Sequence, residues 1–422
     1  MPGGTGGGIL KILHVGSWFG PPFDGGRVYR FELIKRLGRD NRQGFVIPYN
    51  QQDKSSVSLD SLRGLGVSAE TLSPLKRLPI RHLDRLRGVL FSRLPPGVAF
   101  IERSLGPALR QAIRETTRAW RPDVTVVWSP NLAGVCAPAI EGPCVLYACD
   151  SMQMLNRSIA ERASGRFRRW YHGQAASRHE KLTRTAYSRY DHIVFISSRD
   201  MEYGVLPEGA KASVIPMGVD PGVFTPSPGL SGGQGKPVLV YHGYLGYVAN
   251  ADAVRWLLLN LGPELVRLLG EDGFELRIIG KAAPAALMDL VSGKPWAKLL
   301  GYVDDLTSVL NTSTCYVAPI GMGGGMKTKI LEAMACGLPV VGTPEAFSGL
   351  TIQSGVHALV LPGDQIIPAV LDLLRSPARR SAMGLAGRQW VQVHADWDRG
   401  AEALGSILAG VIPGTMGPSL EN

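Results

Sequence analysis

The chain lacks several of the features that would fix its class at once. It has no run of about 18 apolar residues, so no helix in it is expected to cross a membrane. Its five cysteines, Cys136, Cys144, Cys149, Cys315 and Cys336, are odd in number, sparse, and spaced like no zinc site. The expectation is buried thiols in a reducing cytoplasm. The N-terminal MPGGTGGGILKILHVG has no basic leader, and Lys11 breaks its short apolar stretch. It reads as a flexible lead into a strand rather than a signal peptide. No nucleic-acid motif or aromatic RNP-type run occurs, which argues against an RNA or DNA partner. No G-x-G-x-x-G follows the first apolar run and no Walker A spacing is met, which argues against a dinucleotide-dependent dehydrogenase and a P-loop enzyme. Lysine is scarce beside arginine, 12 against 33, yet the formal net charge is +10. That excess calls for an anionic partner without choosing among a phosphorylated substrate, a membrane surface and nucleic acid.

What is present is a globular composition, 45% apolar and 19% charged, on 422 residues, with room for two or three domains. Short apolar, β-branched runs (KILHVGSW, TVVW, CVLYA, HIVFIS) alternate with longer helical stretches. The theme repeats in VLVYHGYL, FELRIIG, CYVAPI, LPVVGTP and ALVLP. Continuous apolar strands suit parallel sheets covered on both faces, hence a doubly wound α/β fold. Between the two series lies TPSPGLSGGQGK, residues Thr225 to Lys236, rich in Pro, Gly and Ser. The expected parse is a first domain over 1–222, a linker over 223–236, a second domain over 237–395, and a C-terminal helix and tail over 396–422 packing back on the first domain. Asp396-Trp-Asp398 is a D-x-D match, but at a helix start its aspartates suit capping better than metal.

The charge is uneven. Residues Lys76 to Arg121 net +8 and Arg157 to Arg189 net +7, which leaves −5 for the rest. In the first stretch Leu83, Leu86, Leu90 and Leu94 fall at helical spacing among arginines. In the second, Ile159, Ala163, Phe167 and Trp170 do the same. These read as basic amphipathic helices, either packed with a solvated arginine face or contacting an anionic membrane or phosphate.

The densest chemistry lies between Ala318 and Val341. A strand, CYVAPI, runs into Gly-Met-Gly323-Gly324-Gly325-Met326-Lys327-Thr328-Lys329-Ile-Leu-Glu332, and a helix is expected from near Met326 to a stop at Gly337. Glycines let a phosphate approach the backbone, a helix N-terminus offers free N–H groups, and lysines add charge-assisted contacts to a diphosphate. Glu332, one turn in, can accept hydrogen bonds from sugar hydroxyls. The alternative is a loop and a core helix with solvated lysines.

This segment resembles the G-G-x-K-x-K-x-L-E-A-M-A-x-G-x-P-V-V signature of glycosyltransferase family 4, also called group 1, a family of retaining enzymes with the GT-B fold. Other family-like segments follow in order: Pro21-Pro-Phe-Asp-Gly25-Gly26 after the first strand, Ile215 to Asp220 at the end of an acceptor domain, Tyr241 to Trp256 opening a donor domain, Leu276 to Gly280, and Gly301-Tyr-Val-Asp-Asp305. The resemblance implies two Rossmann-like doubly wound domains facing across a cleft. The acceptor sits on the first and a nucleoside-diphosphate-sugar on the second, with no metal or other cofactor. It implies donor contacts at Gly25, Gly26, Gly243, Tyr244, Lys281, Tyr302, Val303, Gly323, Gly324, Gly325, Met326, Lys327 and Thr328, and catalytic roles for Lys329 and Glu332, to which Asp150 is added as a candidate from its position alone. Glu332 takes the place of the family's ribose ligand.

Three departures stand out. The first glutamate of the family's E-x7-E pair falls on Gly324. The usual Arg/Lys pair is missing from GYLGYVAN, leaving Lys281, or Lys327 and Lys329, to substitute. No histidine follows the CVLYA strand, where Asp150 stands instead, as a cleft residue or an N-cap. His242, beside Gly243, could touch donor phosphate. The function expected is a retaining, metal-independent transfer of a sugar to a hydroxyl or amine of a lipid-linked, glycan or natural-product acceptor. It would take place in the cytoplasm, with peripheral contact to an anionic membrane. A sugar-nucleotide epimerase or hydrolase, and a non-catalytic binding homologue, stay open on sequence alone.

Overall fold

The computed structural model describes residues 8–20, 25–49, 57–76, 92–149, 151–163, 165–227, 235–322 and 326–414. The chain divides into two compact units, Met1–Pro216 with Trp397–Asn422, and Met217–Asp396.

The first unit is built on seven parallel strands: β1 (Lys11–Val15), β2 (Arg42–Tyr49), β3 (Thr71–Lys76), β4 (Val124–Val127), β5 (Cys144–Cys149), β6 (His192–Phe195) and β7 (Ala212–Val214). Their order is β3-β2-β1-β4-β5-β6-β7. Every residue of β4 and β5 is buried, as expected when helices cover both faces of a sheet. The order reverses between β1 and β4, the switch point of a doubly wound fold. The helix Trp397–Gly410 packs on the helix Gly25–Leu37. The carboxylate of Asp398 accepts from Arg36 Nε and from Arg39, both at 2.7 Å, so it serves these arginines rather than a metal. Gly400 leaves room there for Leu33.

The stripe Ile159-Ala163-Phe167-Trp170 does not run along one helix. The chain forms Met152–Arg162, then breaks, and a second helix spans Arg166–Ala186. Phe167 and Trp170, at its start, are 72% and 45% exposed. Leu83, Leu86 and Leu90 lie outside the described residues.

The second unit holds six parallel strands: β8 (Val238–His242), β9 (Glu275–Ile279), β10 (Ala297–Gly301), β11 (Cys315–Ala318), β12 (Val340–Gly342) and β13 (Leu359–Val360). Their order is β10-β9-β8-β11-β12-β13, the same winding with its switch between β8 and β11. The first unit ends ahead of the expected residue 222 because the next segment is bound into the second. Arg388 donates to the carbonyls of Pro221 and Phe224, and Asn311 Nδ2 to that of Thr225 at 2.9 Å. The incoming and outgoing ends of this unit run side by side, with Val219 N–H donating to the Ala395 carbonyl at 2.8 Å. No helix among the described residues is long and apolar enough to cross a membrane, and all five cysteines are buried thiols outside any disulfide.

Candidate active site

In open α/β sheets ligands bind beyond the carboxyl ends of the strands, at the switch point. In the second unit those ends are tied together. Gly243 N–H donates to the Ile279 carbonyl at 3.0 Å, Leu245 N–H to that of Lys281 at 2.9 Å, and Gly280 N–H to that of Gly301 at 2.7 Å. The loops after β8, β9 and β10, carrying Gly243 and Tyr244, Lys281, and Tyr302 and Val303, therefore form one edge. Gly280 must lack a side chain, since a Cβ there would overlap the Gly243 carbonyl oxygen. Lys281 Nζ lies 3.9 Å from the centre of the exposed Tyr302 ring, a cation–π contact.

The helix after β11 begins at Thr328, later than the expected Met326, with Lys327 in the capping position. It ends at Ala335, and Gly337, at φ +71°, closes it by donating to the Met334 carbonyl. Lys329 and Glu332, three apart, share a face of this helix. Lys329 Nζ donates to Asn250 Oδ1 at 2.5 Å and to the Tyr241 hydroxyl at 3.2 Å. Tyr241 in turn donates to Asn250 Oδ1 at 2.9 Å, and Asn250 Nδ2 to the Tyr244 carbonyl at 2.8 Å. A Cβ on Gly243 would lie 2.5 Å from Lys329 Nζ, so the bare glycine is what lets the ammonium reach the strand end. Burial of Lys329 lowers its pKa to about 8, against a smaller upward pull from Glu332, while Lys327 adds to the depression. An ammonium has three N–H donors. Two are engaged among the described residues.

Glu332 Oε2 lies 2.6 Å from His242 Nε2. The His242 main chain is held by Tyr316, whose hydroxyl accepts from the His242 N–H at 3.2 Å. His242 thus engages the expected ribose ligand. Lys327 Nζ stands 3.9 Å from Glu345 and is mostly buried, not a solvated lysine. Met326 and Val303 pack on the core of the unit, and Thr328 opens the helix.

The structure therefore gathers His242, Gly243, Asn250, Lys329 and Glu332 at one place. Gly25 and Gly26 open the helix Gly25–Leu37 of the other unit. Asp150, Gly323, Gly324 and Gly325 lie outside the described residues. The capping role open to Asp150 belongs to Ser151, whose Oγ accepts from the Met154 N–H at 3.2 Å. The contacts of Asn250 and Tyr241 carry no signal in the sequence. Asn250 stood in the GYLGYVAN loop, but only the turn at Gly243 brings it back to Tyr241. Among the described residues no three His, Cys, Asp or Glu side chains could hold a metal ion.

Residues 236–376 match the family model described as "Glycosyl transferases group 1". Over 89 residues, 20% of this chain and 23% of the relative, the sequence is 38% identical to a GDP-mannose-dependent alpha-(1-6)-phosphatidylinositol monomannoside mannosyltransferase of Mycolicibacterium smegmatis. Over 257 residues, 52% of this chain and 62% of the relative, it is 26% identical to the protein of that name from Mycobacterium tuberculosis. The matched stretches thus span less than two thirds of these curated relatives. The fold is similar to that of the Anabaena protein HepE solved in complex with UDP, with a TM-score of 0.66 at 13% identity over 95% of this chain and 100% of that one. The two doubly wound α/β units are those expected of a GT-B glycosyltransferase. Through residues 236–376, the chain is similar to the glycosyl transferases of group 1.

Proposed function

We propose that the protein is a retaining, metal-independent glycosyltransferase. It moves a sugar, with GDP-mannose as the first candidate donor, to a hydroxyl of an inositol-phospholipid type of glycolipid. The observation that carries the reading is the meeting of Lys329 and Glu332 at the strand ends of the β8/β11 switch point, inside the segment the family model covers. Donor and acceptor classes are those named for the mycobacterial relatives.

Charge builds on the nucleoside diphosphate as the glycosidic bond breaks. Lys329, partly desolvated, would stabilise that charge without reorganising. The N–H groups at the start of the Thr328–Ala335 helix would add to it. Glu332 would accept from the ribose hydroxyls. The acceptor oxygen would form its bond to the anomeric carbon through an oxocarbenium-like transition state, its proton leaving with the diphosphate. The buried thiols support a cytoplasmic setting. The arginines at the start of the Arg166–Ala186 helix support peripheral contact with an anionic membrane, where such an acceptor resides.

The test is transfer of labelled mannose from GDP-mannose to extracted inositol phospholipid, with UDP-sugars in parallel. Lys329→Ala should cost on the order of 100-fold in kcat/KM, as removal of one oxyanion donor does. Glu332→Ala should weaken donor binding by on the order of 10- to 100-fold, the worth of hydrogen bonds to a charged group. Wild-type rates from both variants would refute the site. Free sugar released without an acceptor would identify a hydrolase, and failure of every nucleoside diphosphate to shift the melting temperature would identify a non-catalytic homologue.

A further inference from the structure

We infer that His242 is the positioning residue of Glu332: it fixes the carboxylate as an acceptor for ribose hydroxyls, and so sets the preference for nucleotides that carry those hydroxyls over nucleotides that lack both. The inference rests on the nucleoside-diphosphate reading above.

The two side chains are 90 positions apart, on β8 and on the helix after β11, and meet at 2.6 Å. They differ in freedom. His242 is 7% exposed on a central strand, its ring edge-on to Tyr316 at 5.4 Å and its main chain clamped by the Tyr316 hydroxyl. The Glu332 side chain is 23% exposed on a short helix. The histidine is therefore the anchor and the glutamate the group anchored.

The ring's second nitrogen, Nδ1, is buried and without a hydrogen-bond partner among the described residues. A buried N–H left unpaired costs more than a buried lone pair left unpaired. This places a proton on Nε2, donated to Glu332. A carboxylate offers about four lone-pair directions on two oxygens. Here Oε2 is occupied, and no described residue engages Oε1. Glu332 is thereby turned into a rigid, single-sided acceptor, suited to hydroxyl donors and poorly suited to a position that carries only hydrogen. Without His242 the carboxylate would regain rotamer freedom and solvation, and the hydroxyl contact would lose its pre-organisation.

The test is calorimetric titration of the full chain with GDP and with its 2′,3′-dideoxy analogue, repeated with UDP and its dideoxy analogue. The proteins are wild type, His242→Ala, His242→Gln, Glu332→Ala and the double variant His242→Ala/Glu332→Ala. Gln places an amide N–H where Nε2–H stands. Wild type should bind the ribonucleotide at least tenfold more tightly than the dideoxy analogue. His242→Ala should lose about tenfold for the ribonucleotide and less than twofold for the dideoxy analogue, His242→Gln should restore most of the preference, and the double variant should match Glu332→Ala. Equal losses for both nucleotides in His242→Ala, or an undiminished preference, would overturn the inference. So would a His242→Gln variant that folds with the wild-type melting temperature but has lost the preference. If wild type binds no nucleoside diphosphate at all, it is the broader reading that fails.

Discussion

Lys329 carries a charge where the surroundings resist it. Its ammonium is enclosed by Tyr241, Asn250 and the bare Gly243 backbone, and burial brings its pKa from 10.5 to about 8. In the folded, unliganded protein the charged form is disfavoured. Below pH 8 both folded and unfolded chains hold the proton and the fold bears the full cost. Between about pH 8 and 10.5 the unfolded chain binds more protons, so this group's contribution to stability rises with pH in that window. Binding runs the other way. A diphosphate prefers the ammonium, so nucleoside diphosphate affinity should fall as pH rises through 8, and binding near that pH should take up a proton. Titration calorimetry at pH 7 and pH 9, in buffers of different ionisation enthalpy, measures both. A flat affinity with no proton uptake in wild type would contradict the assignment of Lys329. The residue pair Lys329 and Glu332 was legible because it is local, three positions apart after a glycine cluster. His242 against Glu332, and Asn250 against Lys329, were not, because each contact is made only once parallel strands bring distant positions to the same edge.

At the scale of elements, the start of the Arg166–Ala186 helix is electrostatically unusual. Arg166, Arg168 and Arg169 crowd the positive end of the helix dipole, with no acidic residue in the first turn. None of the three has an ion pair among the described residues. Phe167 and Trp170 stand exposed beside them, ring centres 5.8 Å apart. Three cations on a positive helix end beside bare aromatic rings suit an anionic bilayer surface, where the rings enter the interface and the guanidinium groups meet phosphates. Phe167→Ser/Trp170→Ser should therefore reduce binding to vesicles containing anionic phospholipid by about tenfold, leave melting temperature unchanged, and be without effect on zwitterionic vesicles. Flotation that ignores both the substitution and the lipid charge would leave these groups as plain surface. The apolar spacing from Ile159 to Trp170 hid this feature, because the period continues past Arg162, where the first helix ends, and a separate helix begins at Arg166. Strand positions were more legible. Fully buried strands such as β4 and β5 need unbroken apolar runs, and such runs are visible in sequence.

At the scale of the whole molecule, two doubly wound units are wired unequally. The first unit is completed by the last described helix, where Leu404, Ile407 and Leu408 are buried and Asp398 neutralises the nearly inaccessible Arg36. Ending the chain at residue 396 should expose Leu33 and leave Arg36 without one of its carboxylates. A loss of more than about 5 °C in the unfolding of the first unit is the expected result, given several buried aliphatic side chains removed. Calorimetric scanning checks it, and an unshifted transition would mean that the helix adds nothing. The near-even sharing of residues between two apolar strand series made the two-unit division visible in the sequence. The partner of the chain end was not legible in the same way, since no periodicity in the tail names it.

The pairing of Val219 with Ala395 carries one more consequence. The second unit enters and leaves through a single stitched gate, so in chain terms it is a bead looped into the first, with both of its ends at one point. A break placed anywhere in Met217–Asp396 leaves each half still tethered to the first unit. A graft of a foreign bead across Pro216 and Trp397 needs to satisfy only one short span. That wiring makes the second unit an exchangeable part.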